Sequence, residues 1–294
     1  MALSSKQVQK LGDRLRDGEA GPEELELLDT FRREFDAPLL LLSESICRSL
    51  RGARIPFLLS GRAKRTKSII RKLRRPSNRH MDLSRMDDIV GIRAIVSTAE
   101  AQQHALSVVA DAHKQVRDAF DYRDEAAGRY RAVHLVLGEP ARRVEVQIRT
   151  CAQHQWADVC ERFGERAKEG DPTDEESAYL RDLGQYCIDV DRGASVDHNP
   201  RFRDAMMLMQ RRFLEETRRL GDGADRSYVV VYQIATNELI RCEPFDPTAE
   251  GRDEAICFYR DQASKLSEAE FDVLVLNSSS PGTLRVTHPR YFPE

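Results

Sequence analysis

Apolar and polar positions repeat with two different periods along this chain, and each change of period marks an element. Residues 4–17 follow the helical spacing of a short amphipathic helix. The Gly-Pro pair at 21–22 opens a second helix, because proline is favoured at the first helical position. Leu25, Leu28, Phe31, Phe35 and Leu39 fall on one stripe of it. Pro38 is expected to kink or end that helix, and LLLLSESICRSL continues as another. No motif stands out here, so these helices read as packing elements. In GRAKRTKSIIRKL, Gly61 and the basic run predict a loop. A helix follows over KSIIRKLRR, with Ser68 near its start as an N-cap.

MDDIVGIRAIV (86–96) is apolar and β-branched, which predicts a central strand. AQQHALSVVADAHKQV (101–116) returns to helical spacing. In GRYRAVHLVLGEPARRVEVQIRT (128–150) the period becomes two, giving two strands around a GEPA turn. Val144, Val146 and Ile148 take one face of the second strand, and Glu145, Gln147 and Arg149 the other. CAQHQWADVCERFGERAK (151–168) predicts a helix with Gln153, Trp156, Ala157 and Cys160 on one side. EGDPTDEES (169–177) is an acidic turn, a helix runs on to about residue 190, and 201–220 is a basic amphipathic helix. GDGAD (221–225) is the clearest linker. YVVVYQI, a TNE turn, LIRCE, a helix near 252–267 and FDVLVLN then predict a small ββαβ unit.

This order predicts an α+β fold, an α/β-type mixed sheet flanked by helices. The expected regions are N-terminal helices over 1–50, a central domain with trailing helices over 51–220, and the ββαβ accessory unit over 226–294. The length of 294 residues fits one large domain or two smaller ones. Apolar residues make up 40%, enough for a core, and charged residues 32%, high for a globular chain. A net charge of −3 excludes a general polyanion binder. Yet Arg48 to Arg79 holds 12 Lys or Arg and no Asp or Glu. Such a block is a solvated face or an anion site, and the absence of acids favours the anion site. The six cysteines form no CxxC pair and fit no metal knuckle, so scattered reduced thiols are expected. MALSSKQVQKLGDRL has no apolar leader core, and no run approaches the roughly 18 apolar residues of a membrane span. The expected location is the cytoplasm, with no membrane partner.

The polar side of the hairpin carries Arg129, Arg131, His134, Glu145, Gln147 and Arg149. An exposed sheet face would account for the alternation; a site would account for the residue types. Arg62, Lys64, Ser68 and Lys72 bring guanidinium, ammonium and hydroxyl donors to one end of a helix, whose N–H groups add to the field. That set suits a triphosphate. Neither GxxxxGK[ST] nor GxGxxG occurs. A nucleoside triphosphate needs Mg²⁺, which prefers carboxylate oxygens. Asp87, Asp88 and Glu145 offer them, although a turn cap is the plainer reading of Met-Asp-Asp. Two carboxylates, a cationic cradle and Tyr130 as a stacking ring are the parts of a phosphoryl-type transferase.

The ordered set RAKRTKSIIRKL, MDDIVGIRAIV, YRAVH and VEVQIRTCAQHQWA resembles the synthetase domain of the RelA/SpoT family, including small alarmone synthetases and their toxic relatives, over roughly 50–190. The resemblance implies a RelA/SpoT nucleotidyltransferase-like fold. It implies an ATP-dependent pyrophosphokinase that moves the β,γ-pyrophosphate of ATP onto a ribose 3′-hydroxyl and releases AMP. Classical members use GDP or GTP and make the stringent-response alarmones ppGpp and pppGpp. Toxic members modify the 3′-CCA end of tRNA or make adenosine-based products. By resemblance, Arg62 covers the adenine, and Lys64, Ser68 and Lys72 hold ATP phosphates with help from Arg93. Asp88 binds Mg²⁺, and Glu145 activates the 3′-hydroxyl as base or second metal ligand. Tyr130 stacks on the acceptor base, and Arg131, His134, Gln147, Arg149 and His154 line the acceptor site. Simple alternation conflicts with one assignment, since it puts Asp88 and Arg93 on opposite strand faces.

Departures from the family pattern bear on the acceptor. Classical synthetases carry Pro-Lys and Asn-Gly-Tyr before the YRxxH strand, where this chain reads DYRDEAAGRYRAVH. Asp124 and Glu125 stand in a loop one residue shorter. They would repel an acceptor's 5′ phosphates by on the order of 1 kcal/mol per close pair. His154 also stands where many small synthetases have Asn. Both changes look like the toxic branch. Arg201, Arg203, Arg211, Arg212, Arg218 and Arg219 are then a tRNA-backbone contact or a plain solvated face. No His-Asp dipeptide occurs, so alarmone hydrolysis is not expected. A degenerate nucleotide- or RNA-binding regulator is the competing reading. An antitoxin or other regulator, and a second copy of the chain, stay open as partners.

Overall fold

A computed structural model describes residues 3–113, 118–121, 132–139, 142–163, 173–194, 200–219, 226–267 and 270–292. Helix α1 (Ser5–Arg16) starts where Ser4 and Gln7 form a reciprocal capping box. Helix α2 (Pro22–Arg33) has its proline at the first position, as expected. Helix α3 (Asp36–Gly52) corrects the reading of Pro38. The break falls at 34–35, and Pro38 sits in the first turn of α3, where no intrahelical donor is missed.

Strand β1 (Phe57–Ala63) contains Gly61, so the loop expected there is instead a strand interior. The reason is packing. A Cβ on Gly61 would lie 3.1 Å from Leu39 Cδ1 and 3.4 Å from Ser43 Oγ, so the bare backbone lets β1 run close under α3. Helix α4 (Thr66–Arg74) begins earlier than expected. Arg65 holds the N-cap position without a side-chain bond, and Ser68 is the third helical residue rather than the cap.

Strand β2 (Val90–Val96), helix α5 (Ala99–Ala112) and the short strand β3 (Asp118–Asp121) follow. The hairpin is β4 (Val133–Glu139) with β5 (Arg142–Thr150). Helices α6 (Cys151–Arg162), α7 (Asp174–Asp191) and α8 (Pro200–Arg219) come next. The chain continues through β6 (Arg226–Gln233), β7 (Glu238–Phe245), α9 (Ala249–Lys265), β8 (Phe271–Ser278) and α10 (Pro281–Thr287).

All eight strands form one sheet in the order β3-β4-β5-β2-β1-β8-β6-β7. Among the described residues only β2 and β5 pair in parallel. This is the mixed, helix-flanked α+β architecture anticipated above. The ββαβ unit extends the same sheet, because β8 pairs with β1 from Ser60↔Ser278 to Arg62↔Leu276.

The two faces of the sheet differ. On one, Leu59, Ile92, Ala94, Leu135, Val146 and Ile148 pack with Leu11, Leu28, Leu50, Ile69, Leu73 and Val109 of α1–α5. Each such buried side chain contributes about 1.5–3 kcal/mol of transfer free energy, which fixes the register of every strand beneath. Registered partners share a face, so the opposite face is set by the same pairing. It carries three rows: Arg62, Gly91 and Glu145; Ser60, Arg93, Gln147 and His134; Leu58, Ile95 and Arg149. At its far end Leu58 and Ile95 pack with Cys151, Met209, Phe213 and Val286, which seats α6, α8 and α10 there.

Candidate active site

The polar rows hold two linked clusters. In the first, Glu145 Oε1 lies 2.9 Å from His134 Nδ1, and Glu145 Oε2 accepts from Gln147 Nε2 at 2.6 Å. Gln147 in turn accepts from Arg149 Nη2 at 2.6 Å. Glu145 thus heads a chain of hydrogen bonds along one face of the hairpin. Burial pushes its carboxyl up, but the His134 contact outweighs that and holds it below the ordinary range.

The second cluster is an ion triad. Asp88 receives Lys64 Nζ at 2.8 Å and Lys72 Nζ at 2.9 Å. Burial again pushes the carboxyl up, and the two ammonium groups bring it down to about 2. Asp88 lies in the turn before β2, where Lys64 N donates to the Ile89 carbonyl at 2.8 Å. Strand alternation therefore does not apply to it, which removes the conflict with Arg93. Its negative charge works against ionisation of Glu145, so the two carboxylates stand within electrostatic reach. Asp87 is engaged elsewhere, 2.6 Å from Arg143 Nη1.

Cations join these clusters across the sheet. Arg62 is half-buried, and its charge reaches Arg93 and Arg149. Arg93 donates through Nη1 to the Thr287 carbonyl at 2.8 Å, with Nη2 3.7 Å from Glu161 Oε1. Arg149 is only 2% exposed. Burial, then Arg93, lowers its pKa well below the ordinary guanidinium value.

Ser68 and His154 stand apart. Both line a cavity of about 1040 Å³, with Arg65, Lys67, Arg71 and Tyr259 among its walls. His154 is 2% exposed, and its Nε2 lies 2.9 Å from the Val286 carbonyl. Burial first, then Arg93 and Arg149, hold it neutral, so Nε2 carries the proton and donates. Tyr130 and Arg131 lie outside the described residues, as do Asp124 and Glu125. Sequence reasoning did not anticipate Thr287 and His288 of the C-terminal segment or Glu161 of α6, because contacts between distant elements have no local signature.

Asp88 and Glu145 also pass the test for Mg²⁺. That ion takes one or two carboxylates and completes its shell with water and substrate phosphate. Two ionised oxygen donors beside the Lys64 and Lys72 ammonium groups fit it. Among the described residues no group of three or more His, Cys, Asp or Glu could hold a metal ion by itself.

The polar face of the mixed sheet thus gathers Asp88 and Glu145 beside Lys64, Lys72 and Arg62. Residues 61–163 match the model of the region found in RelA / SpoT proteins. Over these residues the chain carries the region found in RelA / SpoT proteins, as its motifs implied. An uncharacterized protein of Mycobacterium tuberculosis is 35% identical over 126 residues, 42% of this chain and 45% of that one. A GTP pyrophosphokinase of Myxococcus xanthus is 32% identical over 141 residues, 45% of this chain and 18% of that one. The chain thus spans less than half the length of either relative. The crystal structure of small alarmone synthetase 1 from Bacillus subtilis aligns with a TM-score of 0.48 and 24% identity, covering 59% of this chain and 94% of that chain. No helix among the described residues is long and apolar enough to cross a membrane.

Proposed function

We propose that the chain is an ATP-dependent pyrophosphokinase acting on a ribose 3′-hydroxyl, with a guanine nucleotide as acceptor. The observation that carries this reading is the pairing of Asp88 and Glu145, both held ionised, beside Lys64, Lys72 and Arg62. The name of the Myxococcus relative supports the same class.

In this reading the acceptor 3′-oxygen bonds to the β-phosphorus of ATP, the α,β-bridging bond breaks, and AMP departs. An arriving triphosphate takes Lys64 and Lys72 from Asp88, exchanging one carboxylate for several phosphate oxygens. Asp88 and Glu145 would hold Mg²⁺, which supplies neutralisation of phosphate charge. A carboxylate below its ordinary pKa is a weak base. Glu145 therefore acts chiefly by accepting the 3′-hydroxyl hydrogen bond and aligning it for in-line attack, the hydroxyl proton passing on to solvent. His134 and Gln147 fix the direction of its two oxygens.

A second reading, transfer to the 3′-CCA end of tRNA, is favoured by Asp124 and Glu125 in the acceptor loop. ATP labelled on its γ-phosphate tests both. Incubation with GDP, GTP, ATP alone or bulk tRNA should move label onto a guanine nucleotide, and Glu145→Gln should abolish transfer while leaving the fold intact. Label on tRNA alone would replace the acceptor. Transfer retained in Glu145→Gln would sink the assigned role, and ATP binding without label movement in any arm would favour a degenerate regulator.

A further inference from the structure

The end of α10 lies on Arg93, expected to help hold the phosphates of ATP, and on His154, expected in the acceptor site. Arg93 donates to the Thr287 carbonyl, and His154 to the adjacent Val286 carbonyl. The last carbonyls of a helix lack intrahelical donors and carry partial negative charge. Helix α10 thus presents its negative end to the cluster of Arg62, Arg93 and Arg149. His288 follows directly, 5% exposed, with Nδ1 2.9 Å from Thr287 Oγ1. Burial, then Arg93 and Arg62, keep its ring neutral.

We propose that residues 286–288 are a built-in occupant of the ATP site that keeps Arg93 engaged, and that ATP binds productively only when this segment withdraws. The inference rests on the reading of Arg62 and Arg93 as ATP ligands. The segment is fastened from α8, where Glu216 accepts from Ser280 Oγ and lies 3.5 Å from Thr283 Oγ1. Gly282 makes room for that carboxylate, since a Cβ there would collide with it. On its other side the segment borders the 1040 Å³ cavity, lined in part by Arg285, Val286, Pro289 and Arg290. An occupant in cis competes with ATP directly, so a weaker hold appears as a proportionally higher ATP affinity.

The test uses the full chain and reads ATP binding by calorimetry separately from AMP formation. Glu216→Ala frees the fastened end, and His288→Ala removes the ring and remains informative if the first variant does not fold. Both are expected to bind ATP at least about tenfold tighter than wild type, with the gain lost on adding Arg62→Ala. In wild type, ATP is expected to speed hydrogen exchange of amides 281–292. Unchanged or weaker ATP binding in folded His288→Ala, or slower exchange of 281–292 with ATP, would overturn the proposal. Tighter binding without AMP formation supports the occlusion while defeating the pyrophosphokinase reading. AMP formation at equal ATP affinity in all three chains does the reverse.

Discussion

Glu145 and Asp88 owe their ionisation to different partners, and that difference makes each testable by pH. His134 lowers the Glu145 pKa against the burial that raises it. His134→Ala should therefore raise it and move the acid limb of the activity profile to higher pH. An unmoved limb would mean that Glu145 does not set it. Asp88 titrates at about 2 rather than the ordinary 3.8. A depressed carboxyl gives stability that is present above the unfolded pKa and lost as pH falls toward the folded one. Wild type should lose about 2 kcal/mol between pH 5 and pH 2 that Asp88→Asn does not lose, read from urea midpoints. These residues were legible in the sequence because charge type and spacing point to anions. The engagement of Arg93 was not, since its partner is the Thr287 backbone carbonyl, which has no residue identity to read.

At the scale of elements, local chemistry announced itself and long-range pairing did not. The capping box at Ser4, the proline at the start of α2 and the period-two pattern of β5 all name their elements from a few adjacent residues. Strand β1 was hidden, because Gly61 and the bases after it read as loop until β2 and β8 flank them. The glycine is needed for the approach of α3 rather than for a turn. Gly61→Val should destabilise by about 1–3 kcal/mol through overpacking against Leu39 and Ser43. A denaturant midpoint equal to wild type would show that α3 can retreat without penalty.

At the scale of the whole molecule, the ββαβ unit is part of the sheet that carries the site. It pairs β8 with β1, salt-bridges Arg65 to Asp272 and sets α10 over the polar rows. A chain ending before Arg226 would expose the β1 edge and strip Val286 from the Leu58 and Ile95 cluster, and is expected to aggregate more than the full chain. The motifs gave no hint of this, because the unit's contribution lies in where its backbone runs. The central claim, transfer of pyrophosphate rather than phosphate, turns on the adenosine product. The most direct measurement is the nucleotide balance of the wild-type chain with Mg-ATP and GDP or GTP. Equimolar AMP and a guanine nucleotide gaining two phosphates is the predicted result; ADP in place of AMP would contradict it.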